Sequence, residues 1–333
     1  MTQLRTASAL AFVLVATALP GCAAQKDDAA NEFQEALPDQ GSVSIDGPDG
    51  ARADMGTQSG TFGTMADGAA SDPAFWYTFT RDVRDGVNVV TAVVLVSVWA
   101  IVHTEPSEID EDHAVWGPYD GDALDPARYR LTMDRIGEHH FRYVLEGQKK
   151  SGGEYLSVLD GDGYSRASDS HGDGQFVLDL GNAKVLDPSR HEGDSGKVTI
   201  VHELPADIGR RRDALPRTIT ATVAPEGEAS LSITSSAHED HTGEIDVTAH
   251  ADIDDSHATA LEDVSVVSRW RSTGAGRADV GISGGDLPAA GLQGVTAVEC
   301  WGQDFARVFY SDSASIKPTE GNAAECAYEA VPH

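Results

Sequence analysis

Basic residues are scarce in this chain. Against 54 Asp and Glu there are 24 Lys and Arg over 333 residues, a formal charge of -30. That deficit excludes the electrostatic route to nucleic acid, in which Lys and Arg neutralise phosphates. Anionic headgroups would be repelled as well. Bilayer-length hydrophobic runs are also missing. The run from Val87 to Val102 has sixteen residues, roughly 24 Å as a helix, short of the ~20 residues that span a membrane. No complete catalytic signature is present. Cysteine is rarest of all, at three: Cys22, Cys300 and Cys326.

What is present begins with an address. One basic residue, Arg5, precedes an apolar run from Ala7 to Leu19, and Leu19-Pro20-Gly21-Cys22 follows. The run has the length of a signal-peptide core. The ending resembles the lipobox of bacterial lipoproteins, although Pro20 stands where Ala, Ser or Thr is commoner. The resemblance implies a diacylglycerol on the Cys22 thiol, cleavage before it and acylation of the new amino terminus. The mature chain would then have 312 residues and a charge near -31. Several acyl chains make a lasting anchor where one is marginal. Ala23, where Asp would imply inner-membrane retention, implies the outer membrane. Lipidation also leaves Cys300 and Cys326 as an even pair, free to form a disulfide in an oxidising compartment. Ordinary secretion is the rival, and it would strand an odd thiol.

From residue 22 to about 72 the chain is rich in Ala, Gly, Asp, Gln and Ser. Too few large apolar side chains are available to offset ordering entropy, so a disordered tether is expected, about 40 Å end to end. Its short apolar points, Val43 to Ile45 and Phe62, are not required to dock. From Pro73 to His333 one domain is expected. Its 22 aromatic residues are enough for a core.

Phe75, Phe79, Val83, Val87, Val90, Val94, Val98 and Ile101 recur at steps of three or four, a helical period. The second half is apolar nearly all round apart from Asn88, Thr91 and Ser97. Such a helix is surrounded by protein or by lipid. The spacing favours a helix buried against a sheet, with strands or a membrane-inserted segment as alternatives. After a turn-rich passage, Trp116 to Asp122, period-two segments run to the end. They include Tyr129/Leu131/Met133, Phe141/Tyr143/Leu145, Phe176/Leu178/Leu180, Ile245/Val247/Ala249 and Val308/Tyr310. About ten to twelve strands and no second helix are expected. The predicted fold is mainly β: a long antiparallel meander (curved sheet, half-barrel or barrel) on one apolar helix. This order of elements, over Pro73 to Tyr310, resembles the lipoprotein-carrier half-barrels of the LolA/LolB-like group and implies a cavity for an acyl chain.

Leu124-Asp125-Pro126-Ala127-Arg128 recurs as Leu186-Asp187-Pro188-Ser189-Arg190, read as a shared turn leading into a strand. The remaining fragments each have a plainer reading. Gly193-Asp194-Ser195-Gly196 matches four residues of the nucleophile loop of trypsin-like proteases, with His191 or His202 as the base. Lys197 breaks the match, and a hairpin turn fits better. His238-Glu239-Asp240-His241 is not a zinc HExxH and reads as an exposed loop. Asp160-Gly161-Asp162-Gly163 and Asp169 to Gly174 offer Ca2+ oxygens without an EF-hand's ligand spacing, and read as turns. His250, Asp252 and Asp254 share one solvated strand face. Gly274-Ala275-Gly276 is no nucleotide loop, and Arg210-Arg211-Arg212 is a basic loop. No catalytic residue, metal ligand or cofactor is predicted. The expected role is non-catalytic binding of a partner or hydrophobic ligand, an acyl chain most specifically. A structural or adhesive module stiffened by Ca2+ is second, and a hydrolase remote.

Overall fold

The computed structural model describes residues 31–48, 73–121, 125–165, 172–191, 195–204, 215–226, 229–252 and 260–331. Cys22, the remainder of the expected tether, Phe62, Asp169 and Arg210 to Arg212 lie outside them. The described strands form one antiparallel sheet of fifteen, each hydrogen-bonded to its neighbours in sequence. They begin with β1 (Glu108–Ile109), β2 (His113–Tyr119), β3 (Ala127–Gly137), β4 (His140–Lys149) and β5 (Leu156–Tyr164). β6 (Gly174–Asp179), β7 (Lys197–Glu203), β8 (Arg217–Ala224), β9 (Leu231–Ala237) and β10 (Gly243–Ala251) continue it. β11 (Glu262–Trp270), β12 (Gly276–Gly284), β13 (Gly294–Trp301), β14 (Arg307–Asp312) and β15 (Glu320–Gly321) complete it.

Period-two alternation sets which face is buried. One apolar row runs in register from Leu131 through Leu145, Leu159, Leu178 and Val198 to Val223. It continues through Leu231, Ala249, Val264 and Ile282 to Val295. The opposite face carries cross-strand ion pairs, such as Arg142–Asp160 at 2.7 Å and Arg130–Glu146 at 2.9 Å. The mainly-β meander on one helix is therefore the architecture. The sheet is open and no barrel closes, because it ends on the two-residue edge strands β1 and β15.

Three local expectations are corrected. Trp116 to Tyr119 ends strand β2 instead of forming a turn, the break being absorbed by a bulge at Gly117-Pro118. Asp160 to Gly163 lies inside β5. Leu180 leaves the sheet and opens a short helix, Leu180–Leu186, capped by the Asp179 side chain on the Asn182 N–H at 2.8 Å. The second copy of the repeat therefore follows a helix and not a sheet turn. Its Arg190 instead reaches Asp125 of the first copy at 2.9 Å, so the two copies pair with each other.

Residues 31–36 are helical (α1) and Gln40–Val43 forms α2. The long helix α3, Phe75–Val102, lies on the buried face of the sheet, and Leu180–Leu186 is α4. Ala74 gives α3 no side-chain cap. Glu299 of β13, fully buried, supplies one from the sheet. It accepts from the Trp76 N–H at 2.6 Å and from Arg307 Nε at 2.5 Å. A carboxylate suits a helix N-terminus, where N–H groups are unpaired. One turn later the Thr80 and Ser268 hydroxyls meet at 2.6 Å, fixing the helix over β11.

The tether expectation is corrected over 31–48. This segment is a strap packed between α3 and the sheet. Phe33 meets Phe141 edge-on at 5.0 Å, and Ala36, Leu37, Val43 and Ile45 join the same core. Polar ties hold each end. Glu32 accepts from Arg135 at 2.9 Å and His139 at 2.6 Å, and Gln34 donates to the Val102 carbonyl at 2.8 Å. Asn88 brackets the Ile45 peptide, accepting its N–H at 2.8 Å and donating to its carbonyl at 2.9 Å. Arg217, nearly buried, reaches Asp46 at 2.6 Å. Five well-placed apolar side chains suffice for a segment whose average composition is polar.

Candidate functional site

The helical period divides α3 into two faces. Val87, Leu95, Val98 and Val102 are buried with Thr91, which returns its hydroxyl to the Val87 carbonyl. Phe75, Phe79, Val83, Val90, Val94 and Ile101 pack partly against the same core. The other face is open. Val89 is 50% exposed, Val96 61% and Trp99 60%. The His103 ring sits 4.0 Å from the Trp99 ring, centroid to centroid, and donates to the Trp99 carbonyl at 2.8 Å. From Val87 to Val102 there is no charged residue. The helix is thus surrounded by protein on one side only. By length and composition the helix could cross a membrane, and its polar ties to the sheet and strap hold it along the sheet. An open apolar stripe ending in a Trp can bind something apolar.

The hollow beneath α3, where the carrier resemblance places an acyl chain, holds the strap. Gly163 makes that fit possible, and Gly161 allows the close packing of β4 and β6 around it. A Cβ on Gly161 would strike Tyr143, Phe176 and the Gln175 carbonyl, and one on Gly163 would strike the Ala36 carbonyl. The flanking Asp160 and Asp162 project from the opposite face to Arg142 and to His140 at 2.8 Å. They are ion-pair partners of those side chains and not a calcium loop.

At the far end of the sheet a depression of about 680 Å3 crosses β9 to β13. Ser232, Thr248, Ser265 and Thr296 line it, beside the His250–Asp263 pair at 2.9 Å. Ala249, Val264, Ile282 and Val295 line it too, so its open surface mixes hydroxyls with apolar side chains. His202 is different. It is buried on β7, its Nδ1–H donates to the Gly172 carbonyl at 2.7 Å, and its Nε2 has no hydrogen-bond partner among the described residues. Burial pushes its pKa down to about 4, against weaker upward pulls from Gly172, Asp162 and Asp39.

Of the residues weighed as catalytic, Ser195 and His202 do not converge, and Gly193 and Asp194 lie outside the described residues. Ser195 precedes β7 and His202 stands seven residues further on, roughly 23 Å along an extended chain. His238 to His241 forms the β9–β10 turn, and Gly274 the β11–β12 turn. Among the described residues no group of three or more His, Cys, Asp and Glu could hold a metal ion. Cys300 and Cys326 are joined in a disulfide, with Cα atoms 5.3 Å apart. The open face of α3 was missed in sequence, since an all-round apolar helix carries no mark of which side the sheet will cover. No family model matches the chain, and neither a curated protein nor a solved structure does.

Proposed function

We propose that this protein is an exported bacterial lipoprotein, acylated on Cys22 and held at an envelope membrane, the outer membrane in a two-membrane cell. Its folded part binds an apolar ligand, an acyl chain, without catalysing a reaction. The open Val89–Val96–Trp99 face of α3 carries this reading. It is a charge-free surface on an otherwise strongly acidic protein, and burying it in an apolar partner is favourable. The joined cysteine pair agrees with export, since disulfides persist in oxidising compartments. A half-barrel carrier would hold the chain in the hollow. With the strap lying there, binding falls to the outward face.

Two measurements test the reading. Radiolabelled palmitate is expected in the wild type and not in Cys22→Ser, and an unlabelled wild type would remove the anchor. The Cys22→Ser protein should bind a fluorescent fatty acid, and Val96→Lys should weaken that binding at least fivefold. Equal binding by both would take the site away from α3.

A further inference from the structure

We propose that the open face of α3 lies in the interfacial layer of the membrane that the Cys22 lipid enters, so the sheet is held close against that membrane. This rests on acylation of Cys22 as proposed above, and it identifies the acyl chains that the open face meets as those of the membrane lipids. The first observation is where the described chain begins. Gln34 is bonded to the carbonyl of Val102, the last residue of α3, and Glu32 is clamped by Arg135 and His139 at the β3–β4 turn. The chain therefore leads back toward Cys22 from the same end of the helix that carries Trp99.

The second observation is length. Nine peptide units separate Cys22 from Asn31, a reach of at most about 32 Å when fully extended. Trp99 and Val89 lie ten residues apart on the helix, about 15 Å along its axis. A lipid rooted at Cys22 cannot hold the Val102 end of α3 further from the membrane than that reach. The strap takes up eighteen residues of the spacer expected from composition and leaves only these nine peptide units on its Cys22 side.

The third observation is charge. A protein with a formal charge of -30 is repelled by anionic headgroups over most of its surface. From Gly86 to Val102 the helix has no carboxylate, Lys or Arg, and His103 follows it against Trp99. That face can approach a bilayer without the electrostatic penalty, and a Trp at its end suits the headgroup boundary. Tied to the sheet along its other side, α3 lies in the plane of the interface and does not cross it.

The tryptophans supply their own probe. Trp76, Trp116, Trp270 and Trp301 are at most 5% exposed, and Trp99 is 60% exposed. The acylated full chain is placed in phosphatidylcholine vesicles with brominated or ordinary acyl chains, and Trp emission is compared for wild type and Trp99→Phe. The Trp99 contribution, taken as the difference, should fall at least twofold in brominated vesicles, with little quenching left in Trp99→Phe. Val96→Lys, at an exposed position and with an unchanged melting curve, should reduce the quenching of Trp99. Equal quenching in wild type and Trp99→Phe overturns the proposal. So does an absence of quenching, whether the face then meets water or a second copy of this chain. Vesicle flotation of Cys22→Ser separates the two readings. Loss of flotation with no Trp99 quenching in the wild type leaves the anchor standing and removes the docked face. Undiminished flotation together with no palmitate label in the wild type removes the anchor.

Discussion

His202 shows how much one buried ring can weigh. Its folded pKa of about 4 lies below the 6.5 of a free imidazole, so the unfolded chain takes up the proton first. Stability from this group is full above pH 6.5 and is lost as pH falls toward 4. The expected loss is about 3 kcal/mol at ~1.4 kcal/mol per pH unit. Asp82, Glu244 and Asp246 act oppositely, because burial raises their pKa. Glu32, held low by Arg135 and then by His139, loses its contribution only below pH 4.5. The readout is therefore the difference between wild type and His202→Leu in urea melts at pH 7, 5.5 and 4.5. That difference should narrow in favour of the variant as pH falls; parallel curves would show that the ring is not buried as described. Nothing in the sequence around His202 announces this, since β6, β8 and the Gly172 carbonyl, all distant in sequence, enclose it. Asp160 to Gly163 teaches the complementary lesson. Asp-Gly pairs suggest turns, yet here the period of two continues, with glycine on the inner face because backbone carbonyls and, at Gly161, the Phe176 and Tyr143 side chains already occupy that space.

At the scale of elements, α3 and most strands were legible because each carries its own period. The strap was not. Phe33, Leu37, Val43 and Ile45 are scattered through polar sequence, and their burial depends on a hollow formed by residues far along the chain. Phe33→Ala should lower stability by about 3–5 kcal/mol, as large-to-small changes of fully buried aromatics do. A loss under about 1 kcal/mol in urea denaturation would mean that the strap rests loosely. Asn88→Ala leaves the Ile45 N–H and carbonyl without side-chain partners. It should cost about 1–3 kcal/mol and speed amide exchange at Ile45. Unchanged exchange there would discount the bracket.

Across the whole molecule, the C-terminal tail is latched to the outside of the sheet. Arg269, Arg271 and Arg277 donate to the carbonyls of Glu329, Ala327 and Tyr328, and Tyr328 packs against the first two guanidinium groups. The disulfide closes 26 residues of separation beside them. By loop entropy it should contribute roughly 3.5 kcal/mol, so Cys326→Ser should melt at correspondingly lower urea and release the tail to limited proteolysis. An unchanged midpoint would mean that the arginine latch alone holds the tail.

The sequence by itself determined a β-rich chain, one long apolar helix and an even late cysteine pair. Those properties follow from local periodicity and composition. Only the tertiary structure decided that 31–48 fills the hollow, that the two Leu-Asp-Pro copies pair through Arg190 and Asp125, and which side of α3 remains open. Each of these depends on which distant surfaces meet, and an all-round apolar helix contains no local feature that chooses a side.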